Sequence, residues 1–201
     1  MLRFGPDTGP TVIAALPLFE EANRTRAAMV DVLRRLAAHG IGGALPDLPG
    51  TGESLVETRD ATLTDWREAF AAAAATLPEP LHIVAWRGGV LVDVGAVAAG
   101  RWHLAPTDGN ALVRELMRVR DLGGSDDYAG NLISDSMISE VQNASSNASG
   151  TRTVRLASDP RPADAHIPGS PLWRASEPGT DAALQAAIAD DIVRWIASCA
   201  D

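Results

Sequence analysis

Residues 81–91, Leu-His-Ile-Val-Ala-Trp-Arg-Gly-Gly-Val-Leu, have the outline of a nucleophile elbow without its nucleophile. An apolar, strand-like run enters a Gly-Gly turn and continues into apolar, helix-like sequence. In a serine elbow the turn reads G-x-S-x-G, and a strained strand-to-helix bend holds the serine oxygen out for attack. Here Ala85 and Gly89 take the outer positions, and Arg87 stands where the serine would. A guanidinium stays protonated at any working pH, so it binds an anion but cannot attack a carbonyl.

Arg87 therefore has two open readings. It binds a carboxylate or phosphate at a helix N-terminus, or it pairs internally with Glu20 or Glu21. Glu20, Glu21, Asn23 and Arg26 follow the first strand-like run, where an oxyanion donor can be placed. The alternative for them is a plain first helical turn whose acidic charges suit the helix dipole. Asp47 and Gly50-Thr51-Gly52 follow the second strand-like run, in a loop of the kind that lines the crevice of an open α/β sheet. A tight turn needs the same glycines, and no G-x-G-x-x-G is completed before a helix.

Asp159 and His166 come last, in the chain order of a triad's acid and base. An exposed loop histidine is the alternative for His166. Ser54 and Ser136 do not sit on an elbow. His39, His82, His103 and His166 are scattered without ligand spacing, so neither a metal nor a cofactor is expected.

The elements that must position these residues alternate between strand and helix patterns, which predicts a mostly parallel sheet. Strands are expected at 11–16, 41–45, 81–86, 101–105 and 153–157. Helices are expected at 20–39, 65–77, 88–99, 110–122 and 134–141, with a last one after Thr180. The first carries Met29, Val32, Leu33 and Leu36 on one face, with Gly40 as its C-terminal cap. Thr64 is the expected cap of the second, and Asp181 opens the last. Residues 143–150 form a polar loop holding two N-x-S sequons, and 159–171 are expected to be loop.

Several segments together resemble one family, the exosortase A system-associated hydrolases of the second type, within the α/β-hydrolase superfamily. Pro17-Leu18-Phe19-Glu20-Glu21-Ala22-Asn23 is similar to its P-F-x-E-E-x-N run. The elbow is similar to its G-L-R-L-G context, which also places arginine there. Trp102–Pro106 and Leu116–Arg120 resemble its W-x-P…L-R-L-R run. Tyr128–Ser134 and Ile167–Trp173 resemble A-G-Y-x-L-S and V-P-G-x-P-F-W. The resemblance implies a hydrolase-like fold in a bacterial exopolysaccharide or protein-sorting system. Two departures stand out: the family's histidine before P-F-x-E-E is Leu16 here, and little chain precedes Thr11. The antiparallel hairpin that opens larger members is therefore expected to be missing.

Composition bounds the rest. The 201 residues suit one domain, 1–201, with a formal charge of −9 and no lysine. The charge argues against nucleic acid and anionic membranes, and the missing lysine excludes Schiff-base chemistry. Cys199 is the one cysteine, which excludes an internal disulfide. With no apolar h-region at the start and no run long enough to span a bilayer, a cytoplasmic protein is expected. The expectation is thus a compact three-layer α/β/α domain, α/β-hydrolase-like, with little or no lid. It would be a degenerate hydrolase that binds a small anionic ligand or a protein partner near Arg87. An ester or thioester hydrolase with an unrecognised nucleophile, and a non-catalytic interaction subunit, are the alternatives.

Overall fold

The computed structural model describes residues 1–123, 127–128, 130–146 and 149–199. Asn147 and Ala148 of the second sequon, and Ala129 of the Tyr128–Ser134 segment, lie outside the described residues.

Seven strands form one sheet in the order β1-β3-β2-β4-β5-β6-β7. They are β1 (Leu2–Phe4), β2 (Thr11–Ala15), β3 (Gly42–Leu45), β4 (Leu81–Trp86), β5 (Gly100–Leu104), β6 (Thr151–Leu156) and β7 (Ala165–Ile167). β1 runs antiparallel to β3, and every other pairing is parallel. The helices are α1 (Glu20–Ala38), α2 (Leu63–Ala74), α3 (Gly109–Gly123), α4 (Asp135–Gln142) and α5 (Ala182–Ser198).

The central strands are buried on both faces, as a sheet covered by helices on either side must be. Alternation divides them between two cores. Val12, Ala14, Val84 and Trp86 meet α1 and α5, while Ile13, Ala15, Ile83 and Ala85 meet α2, α3 and α4. Met29, Val32, Leu33 and Leu36 are the buried stripe of α1, and Gly40 closes that helix at φ 76°. This is a three-layer α/β/α arrangement. No helix among the described residues is long and apolar enough to cross a membrane.

Several boundaries differ from expectation, each for a local reason. β1 supplies one antiparallel strand where none was expected; at three residues on a sheet edge it has no periodicity to read. β7 lies inside the Pro-rich stretch expected to be loop, again with only three residues. The cap of α2 is Thr62, not Thr64. Thr62 accepts from the Asp65 backbone while the Asp65 carboxylate accepts from the Thr62 N–H, closing a capping box. Asp181 is the N-cap of α5 rather than its first helical residue.

The helix expected over 88–99 is absent. A single 3-10 turn covers Arg87–Leu91, and Gly95 then turns the chain at φ 97°. In its place Asp93 is drawn into the interior, 2.7 Å from His103 Nε2 on β5, with Arg101 3.7 Å away. Both Asp93 and His103 are buried. That tertiary pair outweighs the helix propensity of an apolar run.

Candidate functional site

The elbow geometry is present. β4 ends at Trp86, and Arg87 takes φ 54°, a left-handed conformation that a bulky side chain adopts only under constraint. Gly89 is required because the turn presses against β2. A Cβ there would collide with the Leu16 carbonyl oxygen and lie 2.7 Å from that of Ala15. Phe19 (φ 56°) and Ala105 (φ 46°) are held in the same region, past the C-terminal ends of β2 and β5. Backbone strain thus gathers at the sheet edge where α/β proteins place ligands.

The Arg87 side chain does not project into solvent. Its Nη2 donates to Glu21 Oε1 at 3.1 Å and its Nε faces both Glu21 oxygens at 3.3 Å. Glu115 of α3, half exposed, accepts from Nη2 at 3.5 Å. The guanidinium also lies 5.3 Å from the centre of the Trp173 ring, a cation–π contact. Burial pushes the Glu21 carboxyl above its ordinary value, and the Arg87 guanidinium offsets only part of that.

The residue after Arg87 is tightly packed on the side where a Cβ would stand. A Cβ on Gly88 would meet Leu112 Cδ2 at 3.0 Å and Leu18 Cγ at 3.1 Å, so two leucines close over the residue after Arg87. In a serine elbow the backbone N–H at that position stabilises the tetrahedral intermediate.

Asp159 follows β6 and His166 lies in β7, yet their side chains do not form an acid–base pair. The Asp159 carboxylate takes Arg161 at 2.7 Å and Arg155 at 3.0 Å. Arg161, with help from Arg155, holds it far below the usual carboxylate range. His166 Nε2 faces the backbone carbonyls of Asp159 and Arg161, each at 3.1 Å, and the ring is exposed. Ser54 Oγ accepts from the Gly50 and Val56 amides, and Ser136 faces Glu140. No histidine adjoins either hydroxyl in these contacts; Ser136 meets a carboxylate, but on a helix rather than an elbow.

The remaining predicted residues fall on two sides of α1. Glu20, Glu21 and Arg24 border a cavity of about 430 Å³ shared with Glu115, Trp173 and Arg174. Asn23 and Arg26 border a different cavity of about 390 Å³, with Leu18 and Phe19 as the common wall. Asp47 accepts from Arg26 at 2.9 Å, and Glu20 accepts from Asn23 at 3.2 Å. Arg87 itself opens on a third cleft, about 240 Å³, with Arg161, Arg174, Ser158 and Asp159. The period of a helix explains the split. At about 100° per residue, 20, 21 and 24 centre on one side of α1 and 22, 23 and 26 on the other, with Glu20 and Asn23 meeting at the boundary. Sequence reading missed Glu115 of α3 and Trp173, which contact Arg87, and Arg174, which lines the same cleft; nothing local marks them as its neighbours.

No protein-family model matches the sequence, and no curated protein matches it. Solved structures do match. Alpha/beta hydrolase domain-containing protein 10 from mouse covers 98% of this chain and 93% of its own at 13% identity, with a TM-score of 0.64. The fold is that of the α/β-hydrolases. Est1E from Butyrivibrio proteoclasticus, solved with ferulic acid, covers 96% of this chain and 91% of its own, with 14% identity and a TM-score of 0.58. The chain spans about half the length, 49%, of a metagenome-derived lipolytic enzyme, at 18% identity over 56% of its own length and a TM-score of 0.44. Within this α/β-hydrolase fold, β2 and β4 run side by side and present the Phe19 and Arg87 turns at one edge.

Proposed function

We propose that this α/β-hydrolase-fold protein does not hydrolyse, and instead binds a small anionic ligand in the cleft beside Arg87. The observation that carries this reading is the elbow itself. It keeps its strained conformation at φ 54° but presents a guanidinium in place of a nucleophile. The separation of His166 from the Asp159 carboxylate supports the loss of hydrolysis.

Local charge supports the ligand class. The chain is strongly acidic overall, yet the 240 Å³ cleft is lined by Arg87, Arg161 and Arg174 against the single carboxylate of Asp159. Arg174 is exposed and has no ion pair among the described residues, so it is the cation with most to gain from an incoming carboxylate or phosphate. Arg87, already neutralised by Glu21, would orient the ligand more than attract it. The resemblance to the exosortase A system-associated hydrolases supports a role in a bacterial exopolysaccharide or sorting system, in the cytoplasm.

Two measurements test this. Fluorophosphonate treatment beside a control serine hydrolase, read by intact mass, should leave this protein unlabelled; a stoichiometric serine adduct would overturn the non-hydrolytic reading. Calorimetric titration with inorganic phosphate and with citrate should detect binding that weakens about tenfold in Arg174→Ala, the loss of one charge-assisted contact. Unchanged binding in that variant would remove the cleft as the site.

A further inference from the structure

We infer that the protein has a second, separate binding site, for a small and mainly apolar uncharged molecule, in the cavity over the ends of β2 and β3. This cavity, about 390 Å³, is walled by Leu16, Phe19, Ala22, Leu48, Trp66 and Phe70. Arg87 is not among its lining residues, so the site stands independently of the anion cleft. An apolar cavity of about 150 Å³ already holds a benzene ring, and small-molecule sites begin at roughly 300 Å³. The volume therefore suits one substituted aromatic ring or a short branched acyl group.

The cavity is built rather than left over. Trp66 and Phe70, both fully buried, back its inner end and fix that wall in the core. The far wall is the loop at 46–58, held by several bonds. Trp66 Nε1 donates to the Pro49 carbonyl at 2.7 Å, Thr58 Oγ1 to that of Gly50 at 2.8 Å, and Thr51 Oγ1 to that of Leu48 at 2.9 Å. Gly50 and Gly52 both have positive φ, and a Cβ at Gly50 would lie 2.8 Å from the Thr58 Cα. The loop cannot easily fold inward to fill the space.

Charge and rim define the ligand. Among the lining residues the ionised groups are Arg26 and Glu53, one of each sign, and Arg26 already meets Asp47 at 2.9 Å. A net charge on the ligand would gain little there. Asn23 and Arg26, one helical turn apart on α1, give one end of the cavity hydrogen-bonding groups for a hydroxyl or carbonyl. Leu55 and Val56, just past the lining residue Glu53, are exposed, as is Leu132 next to the lining residue Asn131.

The test is fluorine-observed NMR with 4-fluorobenzyl alcohol and 4-fluorobenzoate as probes. The alcohol should bind saturably and the benzoate at least fivefold more weakly. On methyl-labelled protein, the alcohol should shift the Leu16 and Leu48 methyl resonances. Ala22→Phe and Leu48→Trp, plugs from different elements, should each weaken alcohol binding more than tenfold while phosphate binding stays unchanged. No saturable binding to the wild type, shifts located elsewhere, or binding that survives in a folded plugged variant would overturn the site. Stronger binding of the benzoate would overturn the uncharged ligand class. Loss of phosphate binding alone would count against the Arg87 cleft and leave this site standing.

Discussion

Arg87 donates from Nε and Nη2 to the carboxylate of Glu21, 66 residues earlier in the chain, at 3.3 and 3.1 Å. The pair ties the start of α1 to the turn after β4, and both side chains are largely withdrawn from water, at 7% and 12% exposure. Removing one partner strands the other in a poorly solvated place. Arg87→Ala should therefore cost about 3 kcal/mol in urea unfolding at pH 7. The double variant Arg87→Ala with Glu21→Gln should cost less than Arg87→Ala alone, because no buried charge is then left unpaired.

Glu21 should also leave a mark on the pH dependence of stability. Burial raises its carboxyl above the ordinary 4.5, and Arg87 only partly counters that. A raised folded value means that the native state holds the proton longer than the unfolded chain does. Stability from this group is then full below about 4.5 and declines as pH rises through the folded value. Unfolding curves at a series of pH values should show the wild type losing stability relative to Glu21→Gln as pH climbs above that point.

Restoring the serine should not restore a hydrolase. In Arg87→Ser the hydroxyl would sit on the elbow, but His166 would still face two backbone carbonyls and Asp159 would still be paired with two arginines. Hydrolysis of p-nitrophenyl acetate by this variant should stay at the background rate. A clear burst would show that the base rearranges readily.

Gly89→Ala should be among the most damaging single changes. The added methyl has nowhere to go, since the carbonyl oxygens of Leu16 and Ala15 belong to the backbone and cannot rotate away. The expected loss is about 3 kcal/mol or more, the upper end of overpacking effects, read from thermal or urea denaturation. Gly179→Ala, where the nearest atom to a new Cβ is 3.9 Å away, is the control and should change little.

Local periodicity made much of the framework legible. The unbroken apolar run at 81–86 predicts a strand covered on both faces, and β4 is one. The stripe of Met29, Val32, Leu33 and Leu36 predicts the buried face of α1. Where elements were missed, short range was the reason: β1 and β7 have three residues each, too few to show a period of two. The absent helix after the elbow failed differently. Its sequence is apolar enough, but Asp93 is taken by His103, and a contact between separate elements has no local signature.

The sequence by itself determined the alternating α/β plan and the presence of an arginine where an elbow would hold its serine. Those follow from residue type and from spacings of two and 3.6, which act over neighbouring residues. Only the tertiary structure decided what that arginine does. The fold brings Glu21, Glu115 and Trp173 around one guanidinium from three distant segments. It sets Asn23 and Arg26 behind the wall of Leu18 and Phe19, in a cavity of their own. It also turns the Asp159 carboxylate toward two arginines and away from His166. Each outcome depends on which side chains share a buried space once the helices close over the sheet, and packing across the fold settles that.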